Sequence, residues 1–248
     1  MLPAARALLD VWYVADVAMA EGTARRNKRA LCSFSGGKDS CLALWRARQD
    51  PELDVRALLV MFDESGERSR SHALPSAIVA KQADALGLEL VIRSASWKTY
   101  EQVFVDALKE LRTAGFEVAV FGDIDLEAHR AWEEKVCAAA GMSARLPLWQ
   151  TDRNALVSEV LDVGFRARVV CVDSRYLSDD FCGREYDASF IRDLPPGVDA
   201  CGENGEFHTL VYDGPGFVRP VAFEIDGFED VVTAPEYGAV RYRFARLR

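Results

Sequence analysis

The sequence predicts an α/β protein built around an open, mostly parallel β-sheet. From Arg29 onward, short apolar segments alternate with helical segments over roughly 110 residues, the pattern of repeated strand–helix–strand units. The segment at 55–62 is apolar without alternation, as expected for a strand that is covered on both faces. Glycine and proline mark the boundaries between these segments.

The individual elements follow from hydrophobic periodicity and from residues that begin or end helices. Proline suits a first helical turn, so one helix begins near Pro75, whereas Gly87 and Gly115 end the helices that precede them. The predicted order is strand 30–34, helix 39–48, strand 55–62, helix 75–86, strand 88–92, helix 100–114, strand 118–121 and helix 126–140.

The region beyond Leu148 is less regular, and we predict that it forms a smaller C-terminal α/β domain. Its predicted elements are helix 154–163, strand 167–172, helix 188–194, strand 207–212 and further strands after 218. At the other end, an apolar segment at 2–20 can form a helix, and a basic joint follows at 25–29. The predicted divisions are an N-terminal extension at 1–28, a first domain at 29–148 and a second domain at 149–248.

Composition disfavours several classes of protein. The net charge of −9 would repel the phosphate backbone of DNA or RNA, which disfavours a general nucleic-acid-binding protein. The six cysteines include no C-x-x-C pair and no zinc-finger spacing, so buried or free thiols are expected. The sequence shows neither a secretory signal nor an apolar segment of about 20 residues that could span a membrane. A cytoplasmic location is therefore expected.

The strongest functional signal is a glycine loop between the first strand and the first helix, with the residues Ser35, Gly36, Gly37, Lys38, Asp39 and Ser40. In doubly wound sheets, ligands bind beyond the carboxyl ends of the strands. Two glycines let the backbone approach a phosphate, the helix start offers unpaired N–H groups, and the lysine adds a full positive charge. An ordinary glycine turn is the alternative, which the complete hexapeptide at this place disfavours.

The loop differs from two common nucleotide-binding patterns. A Walker A loop needs G-x-x-x-x-G-K followed by Ser or Thr, but Cys32 and Asp39 occupy the first and last of these positions. The dinucleotide pattern G-x-G-x-x-G lacks its third glycine downstream of Gly37. A kinase or a dehydrogenase is therefore disfavoured.

The sequence Ser-Gly-Gly-Lys-Asp-Ser after a strand resembles the PP-loop, or N-type ATP pyrophosphatase, superfamily. The resemblance implies a Rossmann-like, HUP-type doubly wound parallel sheet. It also implies that ATP and Mg²⁺ are used and that AMP and pyrophosphate are released through an adenylated intermediate. On this resemblance the loop binds ATP, Lys38 is catalytic and Asp39 is a candidate metal ligand. An equal alternative for Asp39 is that its charge favours the start of the helix.

Four further segments narrow the resemblance to the diphthine–ammonia ligase-like family. They are 121–124, 130–137 with Trp132 and Glu134, 146–149 and 201–209. The resemblance extends from about Arg29 to Phe217 and implies a ligase that converts a carboxylate into a carboxamide with ammonia. In the last segment the diphthamide enzymes have Glu-Gly-Gly-Glu followed by an acidic residue, whereas this chain has Glu-Asn-Gly-Glu-Phe-His. That variant is similar to a bacterial-type branch, for which a corrinoid carboxylate is a candidate substrate.

The segment 203–208 suits an active-site loop. Gly205 permits unusual backbone angles, and Glu203 or Glu206 can hold an ammonium ion and accept its proton. Asn204 and His208 are candidate substrate-binding residues on the resemblance, and a histidine titrates near neutral pH. The alternative is a polar glycine turn that leads into a strand. The residues alone favour that turn, whereas the resemblance favours the active-site loop.

The remaining candidates each have a structural alternative. Gly122 and Asp123 follow a strand at the ligand-binding edge and are candidate nucleotide-binding residues; Asp123 there also suits contact with a metal or the substrate, or can instead cap the next helix. Arg130 and Glu134 are candidate substrate-binding residues, but their i,i+4 spacing also fits a simple surface pair. Surface or packing roles are expected for His72 and His129, and core or pocket-wall roles for Trp132 and Trp149.

The leading hypothesis is an AMP-forming carboxylate–ammonia ligase whose partners are ATP, ammonia and a small-molecule or protein-borne carboxylate. A tRNA-modifying PP-loop enzyme would be expected to have paired catalytic cysteines or a basic RNA-binding extension, and only the joint at 25–29 is basic. A non-catalytic ATP sensor has no evident need of the late acidic loop. Because no glutaminase domain is recognisable, ammonia is expected to be free or delivered by a partner. The sequence leaves open whether the protein forms a homodimer.

Overall fold

The computed structural model describes residues 27–70, 72–234 and 238–248, so the helix predicted at 2–20 lies outside the described residues. Within these ranges the chain forms nine strands and six α-helices. In chain order they are β1 Lys28–Ser33, α1 Lys38–Gln49, β2 Leu53–Phe62, α2 Ser76–Leu86, β3 Glu89–Ser94, α3 Tyr100–Thr113, β4 Val118–Val120, α4 Glu127–Ala139, β5 Ser143–Arg145, α5 Arg153–Asp162, β6 Arg166–Asp173, α6 Ala188–Asp193, β7 Phe207–Asp213, β8 Ile225–Val232 and β9 Arg241–Leu247.

The first five strands form one parallel sheet in the order β3-β2-β1-β4-β5. This arrangement confirms the predicted Rossmann-like fold. The chain builds outward from β1 to β3 and then returns to the other side of β1, so the order reverses between β1 and β4. Such a reversal leaves a crevice at the carboxyl ends of the two strands, where ligands bind in open α/β sheets.

Helices cover both faces of this sheet. The two apolar clusters divide the residues of β2 by alternation, with Leu58, Val60 and Phe62 in one cluster and Ala57, Leu59 and Met61 in the other. Side chains of α1 and α2 belong to the first cluster, and side chains of α3 and α4 to the second. Burial on both faces explains why β2 is apolar throughout.

The short strand β5 was not predicted. Its sequence, Ser-Ala-Arg, has neither an apolar pattern nor strong strand propensity. It is extended because it pairs in parallel with β4, from Ser143 opposite Val118 to Arg145 opposite Val120. Pairing with an already formed sheet therefore determines this element, and a single sequence does not reveal it.

The later strands form a second, antiparallel sheet in the order β7-β6-β9-β8. Residues of β6 and β7, such as Val169 and Leu210, share an apolar cluster with Leu42 of α1 and Leu86 of α2. This packing holds β7 beside the start of α1. The predicted domain division near Leu148 stays a prediction. In the described part of the chain, none of the helices has the length and apolarity needed to cross a membrane.

Candidate active site

The glycine loop lies at the carboxyl edge of the parallel sheet, between the end of β1 and the start of α1. Gly122 follows β4, and a Cβ atom added there would lie only 3.0 Å from backbone atoms of Asp39 and Ser40. The two strand ends therefore meet in close contact at the switch point. Gly122 is needed for this approach because it has no side chain.

Hydrogen bonds inside the loop fix its shape. The Ser35 hydroxyl donates to Ser40 Oγ at 3.1 Å and accepts from the backbone N–H of Gly37 at 3.3 Å. The Ser40 hydroxyl donates to the carbonyl of Gly37 at 3.0 Å. Gly37 occupies the N-cap of α1 and has no side chain that could cap the helix. The N-cap residue therefore leaves room for an anion such as phosphate at the start of the helix.

Gly36 is required by both backbone conformation and space. Its φ of +81° lies in the left-handed region, and an added Cβ would lie 2.6 Å from Gln82 Oε1 and from Leu74 Cδ1. The Gln82 side chain of α2 donates to the carbonyls of Gly36, at 3.0 Å, and Val211, at 2.7 Å. The loop is thus fastened to α2 and β7.

Strand β7 closes the loop from the other side. The backbone N–H of Val211 donates to the carbonyl of Gly36 at 2.9 Å, and the backbone N–H of Lys38 donates to Thr209 Oγ1 at 3.1 Å. Thr209 is buried, and sequence analysis gave it no role. The second sheet therefore helps to shape the phosphate-binding loop of the first.

A cavity of about 610 Å³ opens beyond the loop. Of the predicted site residues, those that line it are Ser35, Lys38, Asp39, Ser40, Gly122, Asp123, Glu203 and His208. Gly36 and Gly37 belong to the backbone of the loop itself. The structure thus brings together residues from three distant segments of the sequence. The remaining predicted site residues do not line the cavity; they are Arg130, Glu134, Asn204 and Glu206.

Lys38 and Asp39 form an ion pair at the mouth of the loop, with Lys38 Nζ 2.7 Å from Asp39 Oδ2. Lys38 is buried, whereas a quarter of the Asp39 side chain is exposed. Burial would lower the pKa of Lys38, but the nearby charges, chiefly Asp39, outweigh it and raise the pKa above its usual range. Lys38 is therefore a permanent cation at the position where a phosphate would approach.

Glu203 faces the cavity in a partly buried position. Burial, followed by the charge of Asp39, raises its pKa to about 8, while the charge of Lys38 acts in the opposite direction. The Glu203 carboxyl is thus largely protonated at neutral pH. A neutral carboxyl group can donate a hydrogen bond to a substrate carboxylate without repelling it.

His208 and His72 pack against each other at the cavity wall, with ring centroids 4.7 Å apart. Burial lowers the pKa of His208 to about 4. Burial also lowers the pKa of His72 well below its usual value, and any positive charge on His208 would lower it further. Both rings are therefore neutral at pH 7. His72 lines the site, although the sequence suggested a surface or packing role, and its Nδ1 atom is buried without a partner among the described residues.

The structure does not support the predicted proton-accepting role for Glu206. Its side chain is 1% exposed and accepts hydrogen bonds from the backbone N–H groups of Asp199 and Asn204 and from the Asn204 side chain. The Glu206 carboxylate is thus used to hold the loop that carries Glu203. Asn204, predicted to bind substrate, is exposed and takes part in the same internal bonds.

Arg130 and Glu134 form the surface pair that their spacing allowed. Arg130 Nε lies 2.8 Å from Glu134 Oε1, the side chains are 37% and 53% exposed, and the guanidinium stacks over Trp149. Both residues lie on the outer part of α4, so the structure does not bring them to the cavity with the other predicted residues.

Sequence analysis missed Glu133, a buried carboxyl group that also lines the cavity. It lies on the same face of α4 as the buried residues Val136 and Cys137. A charged residue on the apolar face of a helix was the available signal, because a buried charge needs a partner or a function. The neighbouring side chains of Tyr100 and Trp132 line the same wall.

Comparison with known protein families matches both halves of the chain to domains of one family, diphthamide synthase. Residues 28–144 match the diphthamide synthase N-terminal domain, and residues 152–231 match the diphthamide synthase C-terminal domain. The diphthine–ammonia ligase of Mus musculus is 24% identical, over 88% of this chain and 91% of its own length. That of Danio rerio is 29% identical, over 53% of this chain and 51% of its own length. That of Rattus norvegicus is 23% identical, over 86% of this chain and 89% of its own length.

Proposed function

The chain belongs to the diphthamide synthase family of the PP-loop superfamily, and on that basis we propose that it is an AMP-forming ligase. It adenylates a carboxylate with ATP, and ammonia then displaces AMP to give a carboxamide. The observation that carries this proposal is the cavity that joins the glycine loop to Glu203 of the late loop. A phosphate-binding loop and a carboxylate-binding group in one cavity are what adenylation of an acid requires.

The glycine loop holds the phosphates of ATP. Lys38 and the start of α1 attract the β- and γ-phosphates, while Ser35 and Ser40 add hydroxyl groups at the same edge. The substrate carboxylate attacks the α-phosphorus, the bond to the β-phosphate breaks, and pyrophosphate is retained by the loop until it leaves. Positive charge at this position stabilises the negative charge that develops on the leaving pyrophosphate.

Glu203 binds the substrate carboxylate. Two ionised carboxylates would repel each other, but the raised pKa of Glu203 keeps its carboxyl group neutral near pH 7. Its O–H can then donate to one oxygen of the substrate and leave the other oxygen to attack. Glu206 supports Glu203 by fixing the loop, and His208 forms the adjacent wall.

The site also fits the Mg²⁺ that usually accompanies ATP. Mg²⁺ is commonly held by one or two carboxylates together with phosphate oxygens and water. Asp39 is a partly exposed carboxylate that lines the cavity at the phosphate-binding loop, so it would hold the ion. Mg²⁺ would neutralise phosphate charge there. No group of three or more metal-binding side chains occurs in the described ranges, consistent with an ion held mainly by its nucleotide.

The proposal is tested by identifying the products of ATP cleavage. The protein is incubated with ATP, Mg²⁺, ammonium and a panel of carboxylates that includes a diphthine-bearing elongation factor and corrinoid carboxylates. Phosphorus NMR is expected to show AMP and pyrophosphate only with the true substrate, and mass spectrometry should show the amide. Formation of ADP and phosphate would refute the proposed adenylation. A protein that binds ATP stoichiometrically without turnover on any of these acids would instead behave as a nucleotide sensor.

A further inference from the structure

Four carboxyl groups and one lysine are among the residues that line the cavity. The carboxyl groups belong to Asp39, Asp123, Glu133 and Glu203, and the lysine is Lys38. Asp39 pairs with Lys38, and the charges of both residues act on the carboxyl group of Glu203. Asp123, which follows β4, and Glu133 of α4 form a second pair of carboxyl groups in the same cavity.

Glu133 is a buried carboxyl group with an unpaired oxygen atom. Burial, followed by the nearby carboxyl group of Asp123, raises the pKa of Glu133 to about 10, so the two carboxyl groups together hold a proton near pH 7. Glu133 is 3% exposed, and its Oε2 atom is buried without a partner among the described residues. A buried acceptor with no donor is unfavourable, so this oxygen is available for a ligand that supplies an N–H or O–H group.

His129 connects this pair to solvent. Its Nδ1 atom lies 2.7 Å from Asp123 Oδ1, and 58% of its side chain is exposed. The other titratable groups in this region include Tyr100, Glu134 and Cys137, together with Glu203, on which the charge of Asp123 acts, and Arg70, whose charge acts on Tyr100. Through His129 the pair has a route for protons to the outside.

We infer that Glu133 and Asp123 form the binding site for ammonium, the nitrogen source of the ligase, and that Glu133 accepts a proton from it. This inference rests on the proposed function. Ammonium is a small cation with four N–H donors, and the pair of carboxyl groups offers it acceptors and, once the proton held by the pair has left, negative charge. Burial and the neighbouring Asp123 raise the pKa of Glu133, so this carboxylate is a strong base once its proton has left.

The proton balance of the reaction can be written with these residues. On binding, the N–H groups of ammonium replace the shared proton of the pair, which leaves to solvent through His129. One ammonium proton then passes to Glu133, and the freed nitrogen lone pair forms a C–N bond to the acyl carbon. The C–O bond to AMP breaks, and AMP departs with the electron pair. A second proton passes from the nitrogen through His129 to solvent, which leaves the amide NH₂ and restores the singly protonated pair.

The inference is tested with Glu133→Gln, which keeps the shape of the side chain but cannot accept a proton. Glu110→Gln, on the exposed side of α3, is the matched control. Three rates are compared: pyrophosphate exchange into ATP without ammonium, amide formation with ammonium, and hydroxamate formation with hydroxylamine, a nucleophile that is largely neutral near pH 7.5. Glu133→Gln should lose about tenfold or more in kcat/KM for ammonium, and keep exchange and hydroxamate formation within about threefold of the unmodified protein.

Three results of the rate measurements would overturn the inference. Unchanged use of ammonium by Glu133→Gln would show that the pair is not its site. Equal losses in all three rates would indicate a structural role, and a loss confined to ATP affinity and exchange would assign the pair to the nucleotide. If the unmodified protein shows no exchange with any acid, the proposed function has failed, and a measurement without substrate then decides on the ammonium site. The carboxyl carbon-13 resonance of Glu133 should respond to ammonium chloride and not to sodium chloride. Identical responses would refute the ammonium site.

Discussion

Thr209 Oγ1 accepts a hydrogen bond from the backbone N–H of Lys38 at 3.1 Å, joining residues 171 positions apart in the chain. Lys38 is the first residue of α1, and Thr209 belongs to β7 of the second sheet. The start of the phosphate-binding helix is therefore oriented by a strand that follows much later in the sequence.

Substitution of Thr209 by valine is expected to destabilise the protein by about 1–3 kcal/mol, because it leaves the buried N–H of Lys38 without an acceptor while the shape is kept. Weaker ATP binding should accompany the change, since the loop loses its contact with β7. Urea unfolding and nucleotide titration measure the two effects. Thr113→Val, which removes a hydroxyl from the exposed end of α3, is the control and should leave ATP binding unchanged. Equal ATP affinity for the two variants would contradict the proposed connection.

Gly36→Ala should be far more disruptive than Gly87→Ala. Both glycines have positive φ, +81° and +65°, but an added Cβ meets Gln82 and Leu74 at Gly36 and nothing within 4 Å at Gly87. The backbone conformation costs about 1–2 kcal/mol at either position, and overpacking adds about 1–3 kcal/mol at Gly36. Chemical denaturation of both variants gives the difference directly. Similar free energies of unfolding would show that the space around Gly36 is not restrictive.

Lys38→Ala should raise the dissociation constant for ATP by about 10- to 150-fold, the equivalent of one charged hydrogen bond worth about 1.5–3 kcal/mol. Asp39 loses its partner in this variant and would add repulsion toward the phosphates. Lys109→Ala, on the exposed side of α3, tests for a general effect of lysine removal. Isothermal titration with ATP and Mg²⁺ measures both. Normal ATP affinity in Lys38→Ala would refute the assignment of the loop.

Glu203 should contribute to protein stability in a way that falls as the pH rises from about 4.5 to about 8. Its pKa is raised from 4.5 to about 8 by burial and by Asp39, so in this range the folded state holds a proton that the unfolded state has released. The contribution of Glu203 is therefore complete below pH 4.5 and is lost as the pH passes through 8. Glu203→Gln removes the titrating group and should make the free energy of unfolding less dependent on pH.

The measurement is a series of urea unfolding curves between pH 5 and 9 for the unmodified protein, Glu203→Gln and the surface control Glu134→Gln. We expect the slope of stability against pH to become less negative in Glu203→Gln alone. The same slope in all three proteins would mean that Glu203 is not protonated in the folded state.

The parallel sheet and its glycine loop could be predicted from local sequence. Buried strands such as β2 are apolar throughout, and the change from β1 to α1 is marked by two glycines and a lysine. The regular alternation of strands and helices then limits the topology to a few doubly wound arrangements, which place the loop at the carboxyl edge. The resemblance to a known family added the link to the late acidic loop.

The residues that sequence analysis missed or misassigned depend on packing between distant segments. Thr209 contributes through one hydrogen bond to a helix far away in the chain, which no local pattern reveals. Glu206 looked like a catalytic carboxylate because a sequence does not show which way a loop side chain faces, and here it faces the loop backbone. Glu133 was noticeable as a charge on the apolar face of α4, but its neighbour Asp123 comes from the end of another element.

The most direct test of the proposed chemistry follows an oxygen atom. The carboxylate substrate is labelled with oxygen-18 in both oxygens and turned over with ATP, Mg²⁺ and ammonium, and the AMP is analysed by mass spectrometry. Adenylation joins a carboxylate oxygen to the α-phosphorus, and attack by ammonia then breaks the bond between that oxygen and the acyl carbon. We therefore expect one labelled oxygen in AMP and none in pyrophosphate. Unlabelled AMP, or label in inorganic phosphate with ADP as the product, would contradict the acyl-adenylate mechanism.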